Sequence, residues 1–141
     1  MATLKVQTGA IPLPNPRPLS QPYWDGCLAG ELRFQRCEDC GHAQFNPGYR
    51  CGSCRGDRLG WEVSAGRGTL YSWTVVWRPQ TPAFEVPYAP VVVELDEGYW
   101  MLSAVVDCEV EDLREGMALE VCFQPMSDRI SLPYFRPVTT A

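Results

Sequence analysis

Four of the seven cysteines fall at a spacing that holds a metal: Cys37-x2-Cys40, ten residues, then Cys51-x2-Cys54. Two residues between thiolates let both sulfurs turn toward one ion, and two such knuckles complete a tetrahedral site closed to water. A closed four-thiolate site is structural rather than catalytic. The expectation is therefore one structural Zn2+ per chain on Cys37, Cys40, Cys51 and Cys54. Spacing alone does not separate zinc from iron in a rubredoxin-like site. Gly41 and Gly52 each follow a knuckle cysteine, where a tight turn favours positive φ. His42 is the only histidine, so any mechanism needing an imidazole has one candidate, lodged beside the metal cluster. With four cysteines present it is not expected as a ligand. Cys108 and Cys122 fall in or near strands and read as small core residues. Cys27 lies on a short helix with no histidine near it in sequence to activate a thiol. No catalytic set is legible.

The elements that must position these groups are mostly strands. Residues 1–18 carry Pro12, Pro14, Pro16 and Pro18, a pattern that blocks helix and favours an extended arm, either loose or lying on a partner subunit. Ser20 followed by Pro22 starts a short helix bearing Tyr23, Trp24 and Leu28, and Gly26 and Gly30 keep it short. Its aromatics cover either the body of this chain or a partner. From Glu31 the period becomes two, with Leu32 and Phe34 on one face and Arg33 and Gln35 on the other, and this strand runs into Cys37. The metal unit is left through Trp61 and Val63.

Beyond Gly66 the pattern is all β. Thr69 to Trp77 is an aromatic, β-branched strand whose row Tyr71, Trp73, Val75 and Trp77 is expected to face the core. A loop with Pro79, Pro82 and Pro87 follows, then strands over 90–95 and 99–106 joined by the turn Asp96-Glu97-Gly98. A fourth strand carries Leu119, Val121 and Phe123 inward, and a fifth spans 130–135, where Pro133 argues for an edge or a bulge. The fold class is thus mainly β, with three parts: 1–30 arm and helix, 31–64 zinc ribbon, 65–141 a five-stranded barrel of OB type.

Composition narrows the function classes. The 141 residues, 45% of them apolar, suit a globular chain of ordinary size. No apolar run is long enough to cross a membrane, and the N-terminal segment lacks a signal-peptide core, so no membrane role and a reducing cytoplasmic setting are expected. An odd cysteine count fits poorly with full disulfide pairing. The net charge is −5, and between Glu85 and Glu120 ten acids face one arginine. A phosphate backbone would be repelled there, so nucleic acid is not an expected partner.

The ordered set of motifs resembles a known family. A short aromatic helix, Arg36-Cys37, two CxxC knuckles flanking Phe45-Asn46-Pro47, and Gly66-Arg67-Gly68-Thr69-Leu70-Tyr71-Ser72 opening a barrel are its signature. Pro87-Tyr88-Ala89-Pro90, Glu94-Leu95-Asp96-Glu97-Gly98, Gly116-Met117 and Phe135-Arg136-Pro137 agree. The chain is similar over about residues 19–137 to the zinc-ribbon plus OB-fold family long catalogued as domain-of-unknown-function family 35. The resemblance implies an accessory, noncatalytic subunit of a thiolase-fold enzyme that makes or breaks a carbon–carbon bond in an acyl-CoA thioester. Relatives of that kind serve archaeal acetoacetyl-CoA thiolase, benzoylsuccinyl-CoA thiolase and steroid side-chain aldolases.

On that footing the expected partners are a thiolase-fold subunit and acyl-CoA or coenzyme A. Arg33, Arg36, Arg50 and Arg67 are the candidates for the coenzyme A phosphates, which guanidinium groups meet in fork geometry. Tyr23, Trp24, Phe84 and Tyr88 are the candidates for the partner contact. The competing reading is a single-stranded nucleic-acid module, since OB-folds and zinc ribbons both occur in such proteins. A free-standing thiol enzyme or electron-carrying rubredoxin comes third.

Overall fold

A computed structural model describes residues 2–139. In chain order the strands are β1 (Thr3–Leu4), β2 (Arg33–Cys37), β3 (Ala43–Gln44), β4 (Leu59–Val63), β5 (Arg67–Trp73), β6 (Ala89–Leu95), β7 (Trp100–Val105), β8 (Cys108–Glu109), β9 (Ala118–Pro125) and β10 (Ser131–Pro137). One α-helix, α1 (Gln21–Leu28), precedes β2, and a single 3-10 turn, Val110–Asp112, follows β8. No helix among the described residues is long and apolar enough to cross a membrane.

The barrel closes in the order β10-β7-β6-β5-β9, with β9 returning to β5. This is the connectivity of an OB-fold, in which the fourth strand pairs with the first and the fifth with the third. The seam that closes it, β10 against β7, is parallel and holds one registered pair, Phe135↔Val105. Pro133, which has no N–H to give, lies in β10 before that pair and stays paired on its other side with Phe123 of β9. The proline thus marks the weak seam of a closed barrel rather than an open edge. Leu70, Val91, Val93, Leu95, Met101, Val105, Leu119 and Phe135 fill the interior, and their burial supplies most of the stabilisation.

A three-stranded sheet, β3-β2-β4, forms the ribbon. Its joint with the barrel is aromatic. Phe34 stacks on Tyr99 at a centroid distance of 4.8 Å, Phe45 lies parallel to Tyr99 at 6.3 Å, and Tyr23 meets Phe45 edge-on at 5.4 Å. The connecting segment is held by Glu97 from the β6–β7 turn. Its carboxylate accepts from Ser64 Oγ and from the Ala65 amide, each at 2.7 Å. Gly66 then takes φ +73, and a Cβ at Gly68 would collide with the Glu94 carbonyl, which explains the glycines of that motif.

Two expectations change. Over residues 3–7 the N-terminal arm is neither loose nor left for a partner. β1 pairs antiparallel with β8, Leu4 is completely buried, and Gln7 is clamped by Glu85 through Nε2 to the carbonyl (2.9 Å) and Oε1 from the amide (2.8 Å). The row Tyr71, Trp73 and Trp77 does not face the core. Gly68 and Leu70 take the inward positions and leave Tyr71 outside, the register shifts between Leu70 and Ser72, and the strand ends at Trp73 opposite Val91, so these aromatics are exposed; Val75, the fourth member of the predicted row, packs against the core.

Candidate metal centre and its surroundings

β2 delivers Cys37 and the turn after it delivers Cys40; the second knuckle, between β3 and β4, brings Cys51 and Cys54 opposite. All four sulfurs lie within 4.8 Å of one another. Cys37 Sγ is 3.6 Å from Cys54 Sγ and Cys40 Sγ is 3.5 Å from Cys51 Sγ. A zinc tetrahedron with Zn–S bonds of about 2.3 Å has edges of about 3.8 Å, so the spacing fits such an ion. Amides aim at the sulfurs as a thiolate site requires. Ser53 N and Cys54 N donate to Cys51 Sγ at 3.3 and 3.4 Å, and Gly56 N donates to Cys54 Sγ at 3.4 Å. The amides of Cys54 and then Ser53 lower the Cys51 thiol to about 6. Cys54 stays high, at about 12, because the neighbouring sulfurs of Cys37 and Cys40 outweigh the Gly56 amide that lowers it. A divalent cation removes that conflict by binding all four as thiolates.

The turn chemistry differs from expectation at one position. Gly41 takes φ +80, but in the second knuckle the left-handed residue is Arg55, φ 64, rather than Gly52. The equivalent place is the one after the second cysteine of each knuckle. His42 is exposed and stands outside the four-sulfur group, contributing its carbonyl to the Cys37 amide at 2.9 Å.

A polar clasp that the periodicity did not reveal holds the second knuckle. Gln35 is buried although it sits on the face first read as polar. Its Oε1 accepts from Gly48 N (2.9 Å) and Gln44 Nε2 (3.0 Å), and its Nε2 donates to the Gly48 carbonyl (3.2 Å). Gln44 Oε1 in turn accepts from Gly52 N at 2.9 Å. A glutamine beside Phe34 on the strand that leads into the first knuckle was the available signal, since a buried amide must be fully bonded.

The four candidate arginines do not converge. Arg33 packs its stem on α1 against Gly26, donates to the Pro22 carbonyl and lies 3.6 Å from Glu31. Arg36 pairs with Glu62 at 3.0 Å and donates to the Gly41 carbonyl at 2.9 Å. Arg50 is exposed and donates to the Arg55 carbonyl, and Arg67, on β5, faces Glu120 at 3.7 Å. Among the aromatic candidates, Tyr23 is buried in the helix–ribbon joint and is taken up by this chain's own packing. Trp24 is half-buried beside it, while Phe84 and Tyr88 stack on each other at 5.7 Å in the loop before β6. Cys27 is buried, and burial pushes its thiol up to about 11, the state of an inert core cysteine.

A cluster missed by sequence reasoning lies on the outer face of β5, β6 and β7. Tyr71 stacks on Trp100 at 4.4 Å, and Val92 pairs across the strands with Leu102, which is 73% exposed. A hollow of about 140 Å3 opens between Phe45-Asn46 of the ribbon and Val92, Trp100 and Leu102 of the barrel. A strand apolar on both faces, 99–106, was the signal: one face fills the barrel and the other needs a cover.

Known proteins share this arrangement. Residues 24–60 match the ChsH2 rubredoxin-like zinc ribbon domain and residues 61–124 the ChsH2 C-terminal OB-fold domain. The chain is 31% identical over 129 residues to a probable enoyl-CoA hydratase alpha subunit of Thermomonospora curvata, covering 87% of this chain but 40% of that protein. It is 32% identical over 104 residues to a DUF35 domain-containing scaffold protein of Methanocaldococcus jannaschii, covering 72% of this chain and 71% of that one. Its fold superposes on a chain of the Ltp2-ChsH2(DUF35) aldolase with a TM-score of 0.81 and 29% identity, covering 89% of this chain and 98% of that chain. With its four-thiolate ribbon and its barrel matched in order and in three dimensions, the chain belongs to the ChsH2/DUF35 family of zinc-ribbon OB-fold proteins.

Proposed function

We propose that this chain is a noncatalytic accessory subunit of an acyl-CoA enzyme complex of thiolase type, one that makes or cleaves a carbon–carbon bond beside the thioester. The observation that carries the reading is the likeness to a chain of the Ltp2-ChsH2(DUF35) aldolase, with a TM-score of 0.81 and 29% identity over 89% of this chain. The chain spans 40% of the hydratase alpha subunit it matches. The site chemistry supports it. Four thiolates around one ion form a closed structural centre, and the described residues bring no base beside the buried Cys27 thiol. In this reading zinc fixes the ribbon, and the barrel and its loops meet the thiolase-fold partner, with Trp24, Phe84 and Tyr88 among the contacts. Acyl-CoA sits at the junction of the chains. Of the four candidate arginines, Arg50 and Arg67 are the freer to meet its phosphates, because Arg33 and Arg36 are tied into the helix joint and the first knuckle. A cytoplasmic complex suits seven free cysteines. The test is coexpression with the thiolase-type subunit of the same genome. A complex of fixed stoichiometry that survives gel filtration is expected, and two chains that elute apart overturn the assignment.

A further inference from the structure

The outer face of β5–β6–β7 is unusual for a protein surface. Tyr71, Trp100 and Leu102 are 47%, 51% and 73% exposed, with Tyr71 stacked on Trp100 and Leu102 paired with Val92; Trp73, 39% exposed at the end of β5 opposite Val91, borders a hollow with Val92 and Leu102. Together they leave on the order of 400 Å2 of contiguous apolar surface, about the largest patch an ordinary monomer tolerates. Two hollows flank it, one of about 140 Å3 against Phe45 and Asn46 and one of about 270 Å3 bordered by Ser72, Trp73, Thr74 and Pro90. We infer that this face is the docking surface for the enzyme subunit, with apolar side chains of the partner seated in the two hollows. This rests on the accessory-subunit reading and assigns the surface by which that role is performed.

Two features select the occupant. Two copies of this face pressed together would bury about 800 Å2, short of the roughly 1,200 Å2 of a stable interface. A larger partner subunit can extend past the patch onto the flanking ribbon turn and 74–88 loop, whereas two copies would bring together two rims of the same negative charge. The charge also chooses. The residues lining both hollows include no lysine or arginine, and Glu94, paired with Trp100 across β6 and β7, stands at the margin of the patch. Stacked aromatics on this face of an OB-fold are where nucleic-acid binders hold bases, but those grooves carry cations to track the backbone. Here aliphatic Val92 and Leu102 fill the centre and the bordering charge is negative, which suits an apolar protein surface with a basic rim. The ribbon contributes Asn46 and Phe45 to one hollow, so docking reads the ribbon and the barrel together, and the metal centre acts on the interface by fixing the ribbon against the barrel.

The experiment measures the affinity of the thiolase-type subunit of the same genome for the full-length, zinc-loaded chain and for Leu102→Glu, Trp100→Ala and the control Val63→Ser at the exposed end of β4. Zinc content and circular dichroism show that each variant is folded. Leu102→Glu and Trp100→Ala are expected to weaken binding at least thirtyfold, as buried interface anchors do, with Val63→Ser within threefold of wild type. If both patch variants bind within threefold of wild type, the face is not the docking surface, although the accessory role stands. Wild-type protein that binds no such subunit overturns the functional reading itself. A chain that self-associates through this face in sedimentation, or that binds a thymidine oligonucleotide and loses it in Trp100→Ala, overturns the assigned occupant.

Discussion

Replacing Gln35 by alanine isolates the clasp that positions the second knuckle. Three hydrogen bonds go with the side chain: two accepted by Oε1, from Gly48 N and Gln44 Nε2, and one donated to the Gly48 carbonyl. A lost buried bond costs about 1 kcal/mol, and a backbone donor left unsatisfied adds about 1–3 kcal/mol. Gln44 can swing toward Gly48 but would then release the Gly52 amide it holds at 2.9 Å. The net cost to the ribbon is therefore about 2–4 kcal/mol. Zinc binding and ribbon folding are one process in sites of this size, and about 1.4 kcal/mol is a factor of ten. The lower end of the range thus predicts zinc affinity reduced about thirtyfold or more. Competition with a chromophoric chelator at neutral pH measures it. Gln44→Ala, which removes one bond to Gln35 and one to Gly52, should fall between the wild type and Gln35→Ala. A Gln35→Ala protein that holds zinc within threefold of wild type would refute the view that this amide organises the knuckle.

Three further outcomes follow from the same geometry. Glu97→Ala frees the Ser64 hydroxyl and the Ala65 amide and should lower stability by about 1–3 kcal/mol, read as an earlier urea midpoint; an unchanged midpoint would show that the aromatic joint alone fixes the connection. Arg55→Gly relieves a left-handed backbone at φ 64 and should leave the ribbon as stable as wild type or up to about 1 kcal/mol more so, whereas Gly41→Ala, at φ +80, should destabilise it; zinc-release rates check both. Zinc affinity should fall with acidification, because each thiol that must give up its proton for the ion contributes about tenfold per pH unit below its own pKa. The Cys54 thiol, held near 12 without metal, is one such group at every pH in the working range, while Cys51 adds its share only below about 6.

How far the fold could be read in advance depended on which interactions are local. Two CxxC pairs state their ligand set outright, because thiolates at that spacing have one common use, and the motif around Gly66 and Gly68 marks places where a side chain does not fit. The ring of five strands was likewise legible from period-two runs and turn residues. The orientation of β5 was not. Its aromatics alternate as a core row would, but Gly68 and Leu70 take the inward positions and leave Tyr71 outside, and the register shift between Leu70 and Ser72 changes the parity again before Trp73. The arm was misjudged for a related reason: Thr3–Leu4 finds its partner at Cys108–Glu109, over a hundred residues away, and short strands paired at such distance leave no local trace. Within the metal unit, the residue after the second cysteine needed positive φ in both knuckles, and a glycine at Gly52 drew attention from Arg55. The Gln35 clasp joins three segments of the ribbon, so it too became visible only in three dimensions.

The central claim is that this chain assists catalysis without performing it. The most direct measurement is thioester turnover by the thiolase-type subunit alone, by this zinc-loaded chain alone, and by the two mixed at equal concentration. The account predicts no turnover by this chain, and activity of the partner that appears or rises at least tenfold on mixing. A partner equally active and equally soluble without this chain, or turnover by this chain alone, would contradict it.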